Sequence, residues 1–438
     1  MGEDSAGAPA PGETGGPRPR PRIFYGWYVV GAVFVTQTVG CGLLFYNLSI
    51  LLKAFVAEGP FSVGTTSAAT AMFFLSSGVT GLGVGWLLDR YDPRFVMTGG
   101  SLLAAATLAS AGHVSELWQL YLFYILFGMG NAALVVIPGM TIVARWFTRQ
   151  RSKAIAYAST GLSLGGIVFT PFSASLIENL GLGGAAYWLS FILLIGILPV
   201  SWVFLRPSPE SMGLAPDGDP PRLRADGSVE PPDGVDYADA IRSRFFILCT
   251  AAYVFSMMAQ VGTLAHQFRL VSLRAQDDGI AAYAISIMAA SSIIGRLVGG
   301  SLLQRISSRA YLMGIFCIQA VAFFSFAFAH TNWQLFIVSS LFGATVGNLQ
   351  MMQPLLIAEA FGLKAYARVL SLAQMITTCA NAAGPALLGF LYETTTGGYQ
   401  TAFLVITISP ILGFLALWAA GPVSAPLKAH RTAENETF

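Results

Sequence analysis

From Arg296 onward, the stretch SIIGRLVGGSLLQRISSR (residues 292–309) repeats GLGVGWLLDRYDPR (residues 81–94) at an offset of 215 positions. Leu82/Leu297, Gly85/Gly300, Leu87/Leu302, Leu88/Leu303, Arg90/Arg305 and Arg94/Arg309 are identical pairs. At nearly the same offset, FGMGNAALVVIPGMTIVARWF (127–147) resembles FGATVGNLQMMQPLLIAEAF (342–361). Two copies of one pattern imply two halves related by a pseudo-two-fold axis, with a cavity between them. The copies differ at one decisive position. Arg296 lies inside a long apolar run, where its counterpart is Gly81.

The chain has 438 residues, of which 55% are hydrophobic and only 11% charged, with a mean hydropathy of +0.64. Soluble domains carry about 25% charged residues, so most of this surface must face lipid. Apolar runs near the roughly 20 residues that cross a bilayer lie at Phe24–Leu52, Thr66–Leu88, Phe95–Gly112, Leu117–Ala144, Ala154–Ile177 and Ala185–Leu205. A second set lies at Phe245–Leu270, Ile280–Leu303, Ala310–Ala329, Leu335–Ala358, Val369–Tyr392 and Tyr399–Ala420. The expected fold is therefore all-α, with twelve transmembrane helices in two pseudo-symmetric six-helix halves.

The expected division is a disordered tail at 1–22, a first bundle at 23–205, a linker at 206–242, a second bundle at 243–421 and a tail at 422–438. The tail MGEDSAGAPAPGETGGPRPRPR has no apolar core and is no signal peptide. Within the polar, Pro-rich linker, DYADAIRSR (236–244) reads as a short surface helix. With cytoplasmic termini, all of the 24 Lys and Arg except Lys53, Arg269, Arg274 and Arg296 fall on the cytoplasmic side. The positive-inside rule then places both ends on the cytoplasmic side of a plasma or bacterial inner membrane.

Other classes find no support. The formal charge of +2 is dispersed over short connectors, which gives nucleic acid no basic face. Cys41, Cys249, Cys317 and Cys379 lie in apolar runs without metal-ligand spacing and read as small buried hydrophobes. No phosphate-binding GxxxxGK[ST], nucleophilic triad or paired carboxylates occur. The expectation is a non-enzymatic protein without metal or cofactor.

Nine residues separate Arg296 from Arg305, about 14 Å along a helix, which puts Arg296 near mid-bilayer. A charge there costs about 2.5–3.5 kcal/mol on insertion scales, and a guanidinium does not escape by losing its proton. Every Asp and Glu falls in a tail, a connector or a helix end; Asp89, Glu178, Glu359 and Glu393 come nearest to the helices. The missing counter-charge is either a bound carboxylate, which the planar fork suits, or a set of backbone carbonyls. Polar residues available to orient a ligand body are Tyr46, Asn47, Asn131, Gln260, Ser292, Asn348, Gln350, Gln353 and Asn381. Each also reads as a helix–helix hydrogen bond. His266 is a candidate for proton coupling or an interfacial histidine.

GWLLDRYDPR and ARWFTRQRSKAIA resemble the major facilitator superfamily, the first matching its loop motif G-x-x-x-D-R-x-x-x-R. FYGWYVV, ARWFTRQRSKA and RPSPESMGLAPDG further resemble the bacterial branch of monocarboxylate porters and oxalate/formate-type antiporters. The sequence departs from that pattern in several places. Asp92 replaces the loop glycine, Phe24 and Tyr25 replace an acidic opening, and Ser292 stands where porters carry an Asp. Tyr46 or Asn47 stands at a family Lys, and Val369–Tyr392 carries no base. The resemblance implies a monomeric transporter of small monocarboxylates, working by proton symport or anion exchange. It also implies a conformational latch in which Asp89 pairs with Arg145 or Arg94 near Arg90, mirrored by Arg305 with Glu359. An exporter of hydrophobic compounds and a non-transporting receptor are the rival readings.

Overall fold

The computed structural model describes residues 23–219 and 234–423, apart from the side chain of Val63. The expected tail at 1–22, linker residues 220–233 and the tail from 424 lie outside the described residues. Among the described residues the chain is helical, and no strand is present beyond one isolated bridge between Gly234 and Gly362.

The first helices are α1 (Gly26–Glu58), α2 (Val63–Arg90), α3 (Pro93–Ala109) and α4 (Leu117–Trp146). A helical run of 54 residues, Arg151–Phe204, follows. At about 1.5 Å per residue it would extend ~81 Å, more than twice a ~30 Å bilayer core. It does not run straight. Gly181 stands at φ 70°, ψ 170°, which no helix contains, and divides the run into α5 (151–180) and α6 (182–204). The second half comprises α7 (Arg244–Ala275), α8 (Asp278–Leu302), α9 (Ser308–Phe328), α10 (Asn332–Phe361), α11 (Tyr366–Thr394) and α12 (Tyr399–Ala420). Twelve spanning helices result, so the chain's two described ends lie on one side of the membrane, here termed the termini side. The expected surface helix is present as Tyr237–Arg242.

Side-chain caps set several helix starts. Ser62, Asp92, Ser243, Asp277, Ser307 and Thr331 each accept a hydrogen bond from a first-turn amide, as short polar side chains do at an N-cap. Prolines inside helices leave carbonyls that neighbours occupy. Near Pro138 the Val135 carbonyl accepts from Gln37 at 3.4 Å.

Packing follows the repeat. In the first half α1 packs on α5 and α2 on α4; in the second α7 packs on α11 and α8 on α10. Two seams join the halves, α2 against α11 and α5 against α8. Glycines permit both. A Cβ on Gly85 would lie 2.7 Å from the Ala367 carbonyl oxygen, and one on Gly300 3.1 Å from that of Ser152. These close approaches lie toward the termini side. There the first turns of α5 and α11 are almost wholly buried, whereas beyond Gly166 and Cys379 the same helices expose much of their surface. The halves are closed on the termini side.

Candidate functional site

Arg296 sits where the α5–α8 seam begins, with no exposed surface (0%). Its Nε donates to the Gly347 carbonyl at 3.0 Å, and one terminal nitrogen donates to the Ser159 carbonyl. The other donates to Gln350 Oε1 at 3.1 Å and to Ser163 Oγ at 3.3 Å. Ser159 and Ser163 belong to α5, Gly347 and Gln350 to α10, so one guanidinium ties the halves together. Four ion pairs occur among the described residues, and Arg296 is in none of them. Every acceptor around it is neutral.

Two local features bring these groups within reach. Gly347 lets α10 approach α8 so closely that a Cβ there would stand 2.9 Å from Ser292 Oγ. On the other side, the glycine pair Gly165–Gly166 lets α5 lie against α1. A Cβ on Gly166 would meet the Tyr46 ring at 3.0 Å, and one on Gly42 would stand 2.7 Å from the Gly165 carbonyl oxygen. Over Cys41–Tyr46, α1 widens into a π-helical turn, a form concentrated at functional sites.

The remaining polar candidates divide. Gln350 bonds Arg296 directly. Ser292 is buried one turn before Arg296, and its hydroxyl has no partner among the described residues. Asn47, fully buried just after the π turn, has neither amide atom partnered among the described residues. Asn131 donates to Ser77 at 3.0 Å and leaves its oxygen free; the Asn381 oxygen is also unpartnered. Three others are engaged inside the second half instead. Asn348 accepts from Tyr311 at 2.8 Å and donates to the Ala344 carbonyl at 2.8 Å. Gln353 donates to Thr377 at 3.0 Å. Gln260 lies in a buried α7–α9 cluster with Ser256 and Gln319, accepting from Gln319 while its own amide nitrogen is unpartnered among the described residues. Each of these three makes a helix–helix hydrogen bond.

His266 bridges helices. Its Nδ1 lies 3.0 Å from the Tyr399 hydroxyl and its Nε2 3.2 Å from the Pro385 carbonyl. A carbonyl accepts only, so Nε2 carries a proton, and in the neutral ring Nδ1 accepts from the phenol.

The expected latch pairs are not the ones formed. Asp89 pairs with Arg368 of α11 at 2.6 Å, across the α2–α11 seam. Arg94 is taken by Asp92 at 2.6 Å, and Arg145 donates to the Leu88 carbonyl at 2.8 Å. Arg90 lies over the Trp86 ring at 4.2 Å. In the second half Glu359 accepts from Ser308 at 2.8 Å, while Arg305 is exposed and in no ion pair of the described residues. The reason is closure. With the termini side shut, Arg368 stands nearer Asp89 than either basic residue of the first half.

Sequence reasoning missed Ser159, Ser163, Gly347 and Arg368. The first three act through backbone or seam position, and only the glycine-rich run GLSLGG (161–166) hinted at close approach there. The cysteines divide too. Cys41 and Cys249 are buried as expected, but Cys317 and Cys379 are exposed, as a lipid-facing or seam-facing helix surface allows.

The family model for the Major Facilitator Superfamily matches residues 26–328 and 245–437. The chain is 26% identical to Monocarboxylate transporter 13 of Bos taurus, over 87% of this chain and 86% of that protein. It is 24% identical to the Aspyridones efflux protein apdF of Emericella nidulans, over 79% of this chain and 67% of that protein. Among solved structures, the E. coli Fucose:proton symporter aligns with a TM-score of 0.66 at 17% identity, over 90% of this chain and 99% of that one. Both named relatives are eukaryotic, whereas the motifs had pointed to a bacterial branch.

Proposed function

Because the chain belongs to the Major Facilitator Superfamily, a family of multi-pass membrane transporters, we propose that it is a monocarboxylate transporter working by alternating access around Arg296. The observation that carries this reading is a fully buried guanidinium with four neutral acceptors and no carboxylate from the described chain. A carboxylate adds the attraction of a full opposite charge to its hydrogen bonds with the guanidinium, where the present acceptors are neutral dipoles. A carboxylate that reaches the Ser163/Gln350 edge displaces those two longer bonds while Gly347 and Ser159 hold the rest of the fork. One cation suits one carboxylate, so small lactate- or pyruvate-like anions fit better than dicarboxylates. Ser292, Asn47 and Tyr46 supply the adjacent polar atoms for a hydroxyl or keto oxygen.

Arg296 also bridges the halves, so binding an anion competes with the α5–α8 contact and shifts the balance of conformations. Proton symport and anion exchange both fit this scheme, with His266 the candidate proton carrier. The distribution of Lys and Arg supports cytoplasmic termini, in a plasma or bacterial inner membrane, and the compact twelve-helix unit supports function as a monomer. The fungal efflux relative favours a second reading, export of larger organic compounds. Uptake of labelled lactate or pyruvate by proteoliposomes, with Arg296→Lys as control, separates the two. Carboxylate transport abolished by Arg296→Lys supports the proposal. Equal uptake by both proteins removes it.

A further inference from the structure

The α2–α11 ion pair does not stand alone. The Arg368 guanidinium that meets Asp89 at 2.6 Å also lies over the ring of Tyr237, 5.3 Å from its centroid. Tyr237 belongs to neither half's spanning helices; it opens the short linker helix. That helix is fixed in place by several independent contacts. Gly234 bridges Gly362, the Val235 amide donates to the Phe361 carbonyl at 2.9 Å, and Asp236 pairs with Lys364 at 3.0 Å. A Cβ on Gly234 would stand 2.8 Å from both the Phe361 oxygen and the Lys364 nitrogen, so glycine is needed for the linker to lie this close. Val235 and Ala240 are buried beneath it.

We infer that the linker is a working part of the termini-side gate, with Tyr237 the positioning residue that holds Arg368 in register for Asp89. The argument is geometric. Arg368 extends from the first turn of α11, and its long side chain has many rotamers. A salt bridge on a half-exposed arginine (38% exposed, against 11% for Asp89) loses much of its strength to the entropy of fixing that chain. A ring face docked on the guanidinium restricts it before the carboxylate arrives and adds a cation–π attraction. Tyr237 is tied to the α10–α11 connection and so moves with the second half, while Asp89 moves with the first. The ring therefore acts on the closed state, in which Arg368 must point across the seam. This inference rests on the alternating-access part of the proposed function and not on the identity of the cargo.

The test is made on the full chain without added substrate, so it is blind to whether carboxylates bind. Spin labels at Tyr91→Cys and Ala310→Cys, with Cys317→Ala and Cys379→Ala, report the distance between halves on the termini side by double electron–electron resonance. Tyr237→Leu, which keeps bulk and loses the ring, is expected to raise the open-to-closed ratio about two- to fivefold, the span of an exposed cation–π contact. Tyr237→Phe is expected to restore the parent ratio, as a merely structural role for the hydroxyl would not. In an Asp89→Asn background, Tyr237→Leu is expected to add nothing further, since the ring acts through the pair. An unchanged ratio in Tyr237→Leu, or an effect fully retained in the Asp89→Asn background, overturns the inference. Should Tyr237→Leu run as an aggregate on size exclusion, Tyr237→Met carries the same comparison.

Discussion

The two seams between the halves are built on one plan and charged in opposite ways. Gly85 of α2 packs on Ala367 and Ser371 of α11; 215 positions on, Gly300 of α8 packs on Ser152 and Ala156 of α5. The steric part of the repeat is kept. The polar part is not. At the end of the α2–α11 seam stands the Asp89–Arg368 pair, partly in water. The matching positions in the other seam are Gln304 and Lys153, which form no ion pair among the described residues. That seam has Arg296 in its interior, where the α2–α11 seam has Gly81. One seam is closed by a charge pair the protein supplies whole. The other is closed by a charge whose counter-ion the described chain does not supply. Under the proposed function, a gate of the first kind answers to salt and the linker, one of the second kind to cargo.

The sharpest way to break this contrast is to remove the interior charge. Arg296→Leu deletes hydrogen bonds to a charged group worth about 1.5–3 kcal/mol, so carboxylate uptake in proteoliposomes is expected to fall by roughly 10- to 100-fold or more. Wedging the seams comes next. Gly300→Val and Gly85→Val each drive side-chain atoms into a backbone carbonyl, a strain of about 1–3 kcal/mol. Each is expected to move the halves apart on the termini side by about tenfold in population, read by label distances. Equal effects from both confirm that the steric plan is shared.

A smaller change sharpens the electrostatic difference. Asp89→Asn is expected to open the termini side only two- to fivefold, as befits a partly exposed pair. That loss should be mimicked in the parent protein by raising salt. Conversely, Gln304→Asp places a carboxylate opposite Lys153 and recreates in the α5–α8 seam the pair it lacks. Transport is expected to slow by a similar small factor, because the closed state is favoured. Ser163→Ala removes one long hydrogen bond from Arg296 to a neutral acceptor and is expected to change the apparent affinity for a carboxylate by about twofold or less.

How much of this was legible in the sequence follows the same division. The apolar runs, the glycines and the repeat are local or periodic signals, and they placed all twelve helices and the break near Gly181. Arg296 was legible because a charge in an apolar run violates a local rule. Its cage was not, because Gly347 and Ser159 act through carbonyls that every residue owns. The latch misled for a different reason. Asp89 has several basic residues within sequence reach, and its partner Arg368, 279 residues away, is selected only by which side of the protein is shut. Asn348, Gln260 and Gln353 lie on helices that are apolar nearly all round, where periodicity does not separate the face toward a cavity from the face toward a neighbouring helix.

The most direct test of a cation waiting for an external anion is a thermal-shift comparison of purified parent protein and Arg296→Gln, each with a series of mono- and dicarboxylates. Stabilisation by a ligand grows as RT ln(1 + [L]/Kd). Monocarboxylates are therefore expected to raise the parent's unfolding temperature with increasing concentration, dicarboxylates to do so weakly, and neither to move Arg296→Gln. Equal stabilisation of both proteins by a monocarboxylate would mean that the anion binds elsewhere, and that Arg296 is held for its carbonyl contacts alone.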